Sequence, residues 1–302
     1  MVRNVSWVVL ALVIVALASL TTYYVLTSPQ QVIRLRVSTT TSLYATGLLD
    51  YLASAFSEAY PDVRVEFIAG GTGAALKIAE QGDVCVVLVH APSLEKQYLE
   101  RRVIEGGKIF AYNYFVLVGP ASDPANVSGA ADIVSAFRRI YSAGESGDSS
   151  FVSRGDESGT HVRELRIWRE AGLDPRGTAW YRDCGCGMSE ALIMASELHS
   201  YTLSDLGTYL TLKKAGRVQW LETLYVNEND ALAVNIYSAY VVSGCRGDER
   251  RYAELFVDFI YANQEALMVF SVSKYGEPLL HSVRGRELEI QNLWSLSASE
   301  QR

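Results

Sequence analysis

The chain has 302 residues, of which 49% are hydrophobic and 20% charged. Those proportions exclude a disordered, collagen-like or coiled-coil protein, and the length suits two domains or one large one. The formal net charge of −7 argues against binding nucleic acid through a basic face, while leaving room for a small anion held by a few local donors.

Taken in chain order, Trp7–Leu20 is apolar apart from Ser19, weaker apolar character continues to Leu26, and Arg3 precedes the run. A positive start and an apolar core are what export machinery reads, and the run approaches the ~20 residues that span a bilayer. Residues 1–30 are therefore read as a signal or anchor helix and linker. An uncleaved anchor is preferred over cleavage near Ala16–Ala18, and the remainder is expected to be extracytoplasmic. Disulfides persist there. The four cysteines allow three pairings; Cys85, inside the apolar run Val84–Val89, reads as a buried thiol, and a bridge from Cys184 or Cys186 to Cys245 is the preferred pairing.

Beyond the linker, Ile33–Ser38 reads as a strand, and Leu48, Leu49, Leu52, Phe56 and Ala59 recur at helical spacing before Pro61. Val63–Ala69 alternates like a strand, Ala74–Gln81 is helical, and Val84–Val89 has the continuous apolar character of a strand covered on both faces. A helix over Leu94–Val103 and a strand over Ile109–Val118 follow. In the second half, Ala130–Tyr141, Val162–Ala171, Ser189–Leu198 and Asp205–Lys214 read as helices, the last capped by Ser204. Phe151–Ser153, Tyr201–Leu203, Leu221–Val226 and Leu232–Tyr240 read as strands. Tyr252–Phe270 carries the apolar spacing of one long helix, and the polar tail after His281 reads as a loose helix. Alternating strands and helices imply an α/β protein with a largely parallel sheet.

Four helix starts share one design. Thr39-Thr40-Thr41-Ser42 and Gly70-Gly71-Thr72-Gly73 lie between a strand and its helix, the stretch from Ser153 to Thr160 precedes the Val162 helix, and Cys184–Ser189 precedes the Ser189 helix, each offering hydroxyls or glycines. Hydroxyls, close-approaching backbone N–H groups and helix N-termini suit an oxyanion, and such loops lie at the ligand-binding ends of strands in open α/β sheets. Each loop by itself is equally a good N-cap or turn; two donor-rich loops a hundred residues apart are better explained by two lobes closing on one anion. Arg154 is the one full positive charge within those two loops, and its planar fork suits an oxyanion, unless it only pairs with Asp156 or Glu157. His161 directly follows and reads as part of the first helical turn. Other chemistry lacks its pattern: there is no phosphate loop, complete dinucleotide glycine motif or Gly-x-Ser-x-Gly elbow, and the histidines show no metal-ligand spacing.

At these loops the sequence resembles the substrate-binding component of tungstate ABC transporters, the Tup-type family. The matching segments are Thr39-Thr40-Thr41-Ser42, Gly71-Thr72-Gly73-Ala74-Ala75-Leu76-Lys77, Val89-His90-Ala91-Pro92, Tyr112–Pro120, Phe151–Asp156, Ser158-Gly159-Thr160-His161 and Tyr201–Asp205 with Gly207-Thr208-Tyr209-Leu210. The resemblance runs from about residue 35 to residue 280. It implies a two-lobed periplasmic-binding-protein-like fold of type II, each lobe a mainly parallel sheet flanked by helices. Residues 31–116 with 231–302 would form one lobe and 117–230 the other, with hinges near Val116–Gly119 and Leu224–Val234. It implies ligand contacts at Thr40, Thr41, Ser42, Arg154, Ser158 and Thr160, to which the glycine loop adds the Thr72 hydroxyl. Tungstate or molybdate is the expected ligand, bound through its oxygens with no metal cation and no cofactor. An ABC permease and its ATPase are the expected partners, the N-terminal segment the membrane contact, and the protein is expected to be a monomer and not an enzyme. Another oxyanion such as sulfate or phosphate is the alternative, followed by a membrane-tethered anion sensor. Two departures stand out: Gly185-Cys186-Gly187 replaces a Gly-Gln-Gly loop, and the strand near Ala233–Val242 lacks the Asn-Pro turn.

Overall fold

The computed structural model describes Trp7 and residues 9–19, 32–228 and 230–299. By internal contacts the chain divides into two units, residues 1–33 and 34–302. In the first, helix α1 (Val9–Ser19) has exposed apolar side chains such as Leu10, Leu12 and Ile14. No single helix among the described residues is long and apolar enough to cross a membrane. Residues 20–26 of the expected anchor lie outside the described residues.

The second unit is built on a seven-stranded sheet. Its strands are β1 (Ile33–Thr40), β2 (Val63–Gly70), β3 (Val86–Val89), β4 (Ile104–Pro120), β7 (Thr202–Asp205), β8 (Leu221–Tyr225) and β9 (Val234–Val242). The order is β2-β1-β3-β9-β4-β7, with β8 also on β4. A separate pair joins β5 (Phe151–Ser153) to β6 (Tyr181–Asp183). The helices are α2 (Thr41–Ala45), α3 (Leu48–Ala59), α4 (Thr72–Gln81), α5 (Pro92–Glu100), α6 (Ile133–Glu145), α7 (Gly159–Glu170), α8 (Met188–Glu197), α9 (Leu206–Lys214), α10 (Gly247–Ala262), α11 (Gln264–Tyr275) and α12 (Glu287–Ala298). The α/β class holds, and the strand–helix order agrees closely with the periodicity.

The 17-residue β4 is the shared spine. From Ile104 to Tyr114 it pairs with β9, and from Phe115 to Pro120 it pairs with β7 and β8. Apolar side chains segregate the same way. One cluster gathers Leu76, Val87, Val89, Ile104 and Tyr240 around β3 and β9. Another gathers Phe115, Phe137, Phe151, Ile167 and Trp168 around α6 and α7. In the latter the rings of Phe137 and Trp168 meet edge-on at 4.5 Å, an arrangement that adds about 0.5–1.5 kcal/mol to the area buried.

Several sequence expectations are corrected. The sheet is not mainly parallel: β1–β3 and β5–β6 are parallel, whereas β9 runs antiparallel to β3 and β4, and β7 and β8 run antiparallel to β4. Burial on both faces produces the same apolar runs in either direction, so the pattern does not encode strand sense. The single helix over Tyr252–Phe270 is two helices bent by 62°. The break falls at Asn263, the C-cap of α10, whose side-chain amide donates to the Phe259 carbonyl at 2.8 Å. Asp205, not Ser204, caps α9, accepting the Thr208 N–H at 2.9 Å. The tail is a packed helix, with Ile290 fully buried and Trp294 Nε1 donating to Glu95 at 2.7 Å.

The cysteines pair as Cys85–Cys245 and Cys184–Cys186, so Cys85 is not a free thiol and neither Cys184 nor Cys186 reaches Cys245. The reason for the first bond is the antiparallel β3–β9 ladder. Val242 N donates to the Cys85 carbonyl at 2.9 Å, and the turn after β9 then returns Cys245 to within 5.4 Å of Cys85, Cα to Cα.

Candidate functional site

Three of the four donor loops converge, and the fourth is tied to them. Thr40 ends β1, and its hydroxyl accepts the Leu43 N–H to cap α2 while lying 3.3 Å from Ser42 Oγ. Ser42 Oγ in turn lies 3.3 Å from Nε2 of His90, the residue that follows β3. The His90 ring packs against the start of α7: a Cβ on Gly159 would lie 3.0 Å from the His90 carbonyl oxygen and 3.2 Å from its Nδ1. A side chain at that position would require the His90 contact to give by a few tenths of an ångström. The position of a Cβ on Gly71, which precedes α4, is 4.0 Å from the Ser158 Cβ. Ser158 caps α7 through the His161 N–H at 3.3 Å.

The fourth loop holds the third in shape. Cys184 N donates to the Ser153 carbonyl at 2.9 Å and Cys186 N to the Arg154 carbonyl at 3.1 Å. Gly155 lies under this contact with φ +62°, a left-handed conformation natural to glycine. The cysteines that stand where a Gln-containing loop was expected thus contribute backbone donors to the loop carrying Arg154.

Thr40, Ser42, Thr72, Arg154, Ser158 and Thr160 are all buried, whereas Thr41 is exposed. Thr72 Oγ1, Thr160 Oγ1 and Arg154 Nε are buried and lack a hydrogen-bond partner among the described residues. A buried donor without a partner costs about 1–3 kcal/mol, more when charged, so each of the three calls for a physical explanation. Arg154 pairs with Asp156 through NH2, the nitrogen on the same edge as Nε, and Asp156 also accepts the Ser158 N–H at 3.2 Å. The pairing with Asp156 is thus present, and Nε has no partner among the described residues.

His161 belongs to the first turn of α7, where Nδ1 accepts the Glu157 N–H at 3.0 Å. Burial lowers its pKa from the ordinary value, against the pull of Asp156. Below the loop, Glu164 is fully enclosed and accepts from Ser153 Oγ (2.8 Å), Trp168 Nε1 (3.1 Å) and Tyr181 OH (2.7 Å). Burial pushes its carboxyl up to about 7 despite these three donors. The sequence reading passed over His90, which links the Thr40–Ser42 loop to α7. Its position directly after a fully apolar strand, at the ligand-binding end of the sheet, was the available signal.

Residues 27–264 match the model of the PBP superfamily domain. The chain belongs to the PBP superfamily. Within it, a TupA tungstate-binding protein of Peptoclostridium acidaminophilum is 34% identical over 249 residues, covering 80% of this chain and 83% of the relative. An ABC transporter anion-binding relative in Haloferax volcanii is 47% identical over 176 residues, covering 58% of this chain, and the matched segment spans about half (50%) of that relative's length. The solved structure of TupA from Desulfovibrio alaskensis G20 superposes with a TM-score of 0.69 at 34% identity, covering 83% of this chain and 98% of that one. The chain is a Tup-type member of this superfamily, in agreement with the resemblance read from its loops.

Proposed function

We propose that this PBP-superfamily chain captures tungstate outside the cytoplasm and delivers it to an ABC permease and its ATPase. The observation that carries this reading is the set of buried donors without partners, Arg154 Nε, Thr72 Oγ1 and Thr160 Oγ1, on loops drawn together by His90 and Gly159. A tetrahedral dianion needs donors on every side and no acceptor beside it. Asp156, the nearest carboxylate in the loop, is occupied by Arg154 and the Ser158 N–H. The names of the bacterial relatives support tungstate among oxyanions.

In this reading the lobes are residues 31–116 with 231–302, and residues 117–230. A change of partner along β4, from β9 up to Tyr114 to β7 from Phe115, two residues before the boundary at 116, supports this division. Closure would desolvate the anion, and hydrogen bonds to a charged group contribute about 1.5–3 kcal/mol each. The protein binds and releases its ligand unchanged, as a monomer, and the apolar N-terminal segment tethers it to the membrane.

Calorimetric titration of the purified chain tests the reading, with tungstate as ligand and molybdate, sulfate and phosphate as competitors. Tight tungstate binding that sulfate and phosphate fail to displace is the expected result. Arg154→Ala should weaken it about 100-fold, as loss of a charged hydrogen bond predicts, and Asp156→Ala less. Preference for phosphate, or undiminished binding by Arg154→Ala, overturns the assignment.

A further inference from the structure

The hydrogen bonds around His90 have a determined direction. The Leu279 carbonyl can only accept, so Asn113 turns its Nδ2 toward it at 3.1 Å. Asn113 Oδ1 then accepts from Asn235 Nδ2 at 2.9 Å, and the same amide donates to Tyr237 OH at 2.9 Å. Asn235 Oδ1 is left facing His90 Nδ1 at 3.0 Å, which requires the proton on Nδ1. In a neutral ring Nε2 is then a bare lone pair, and the group 3.3 Å from it is the Ser42 hydroxyl. The Ser42 hydroxyl, which also lies 3.3 Å from Thr40 Oγ1, is the donor within reach of that lone pair, and while it donates there it offers the site only lone pairs.

That arrangement suits the empty site and opposes an anion. A proton on His90 Nε2 reverses it: Nε2–H donates to Ser42 Oγ, and the Ser42 O–H becomes free to point at an oxyanion. We propose that His90 takes up one proton as the oxyanion enters, converting Ser42 from an acceptor into a donor. The inference rests on the oxyanion reading of the site. His90 acts through Ser42 and is a positioning residue.

The surroundings hold the ring neutral until then. His90 is buried, and desolvation lowers its pKa to about 4. Arg154, on the β5–α7 loop, adds to that lowering, while Asp205 at the end of β7 and the bond to Asn235 oppose it. The Tyr237 ring of β9 lies beside it, tilted by 34° at 4.9 Å, with its own hydroxyl kept protonated by burial. The α2 side contributes the uncharged Ser42, and α7 contributes Gly159. A dianion among these groups offsets the Arg154 charge and favours the imidazolium.

The test is calorimetry of wild-type protein with sodium tungstate at pH 6.5 in buffers of different ionisation enthalpy. The apparent enthalpy should vary with buffer in proportion to an uptake close to one proton, and affinity should fall about tenfold between pH 6.5 and 7.5. His90→Gln should bind with no buffer dependence and a flat pH profile. Should that variant fail to fold, the 15N resonances of His90 in the wild type decide, shifting from neutral ring to imidazolium on saturation. Tungstate binding without proton uptake, or uptake unchanged in His90→Gln, overturns the role of His90 while leaving the site intact. If no oxyanion binds at any pH, the site reading fails and this inference falls with it.

Discussion

At the scale of the residue, the proposed anion site is a problem of donor arithmetic, and Arg154 carries most of it. Its NH2 goes to Asp156, its backbone carbonyl accepts from Cys186, and its Nε stays without a partner in a 3% exposed side chain. The pairing with Asp156 aims the fork without consuming it. The same economy governs Glu164, whose three donors lock the Ser153 and Tyr181 side chains beneath the loop. Burial raises its carboxyl from 4.5 to about 7, so the folded state holds a proton that the unfolded state has lost over that interval. A raised pKa stabilises most below the unfolded value, and that contribution disappears as pH rises through the folded one. Stability should therefore fall between about pH 4.5 and pH 7, by roughly 3 kcal/mol at most. Glu164→Gln, followed by urea unfolding across this window, should flatten that part of the profile; an unchanged slope would assign the dependence to other groups.

Elements place these residues. Four strands lead into the donor segments and the helices they start: β1 runs directly into α2, while β2, β5 and β6 reach α4, α7 and α8 through loops. The β6–α8 connection differs by closing a ring with the Cys184–Cys186 bond, whose backbone amides grip the Ser153 and Arg154 carbonyls. Cys184 and Cys186 are both half-buried, within reach of a small thiol. Reduction should free the Cys-Gly-Cys turn, loosen the presentation of Arg154, and weaken anion binding several-fold. The comparison is tungstate affinity with and without dithiothreitol in the wild type and in Cys184→Ser/Cys186→Ser, which retains the other disulfide. The double variant should match the reduced wild type and lose its response to reductant. Equal affinity in all four conditions would make this bond irrelevant to the site.

At the scale of the whole molecule, the β3–β9 half of the sheet joins segments from both ends of the chain. The Cys85–Cys245 bond spans a sequence separation of 160 across that junction. A cross-link over so long a loop restricts the unfolded chain strongly, and native disulfides of this kind contribute about 2–5 kcal/mol. Cys85→Ala/Cys245→Ala should accordingly lower Tm by several degrees while leaving tungstate affinity close to wild type, because the bond lies away from the donor loops. A large loss of affinity with unchanged Tm would show instead that this junction controls the site. The two bonds thus carry separable consequences, one for stability and one for ligand presentation.

The sequence by itself determined the α/β class and most of the element order, missing the short helix Thr41–Ala45 and the strand Tyr181–Asp183, because hydrophobic period and turn chemistry are local properties. Gly70–Gly73 and the stretch from Ser153 to Thr160 were legible as helix starts for that reason. Tertiary structure alone decided what those loops meet. It set the antiparallel insertion of β9 between β3 and β4, which an apolar run cannot specify, and through that register it chose Cys245 for Cys85. It broke the last long helix at Asn263. It also placed His90 between Ser42 and Gly159, with its proton assigned through Asn235 and Asn113 from a backbone carbonyl at Leu279. No spacing rule links residues 42, 90, 113, 235 and 279; only the folded sheet brings them into one line of hydrogen bonds.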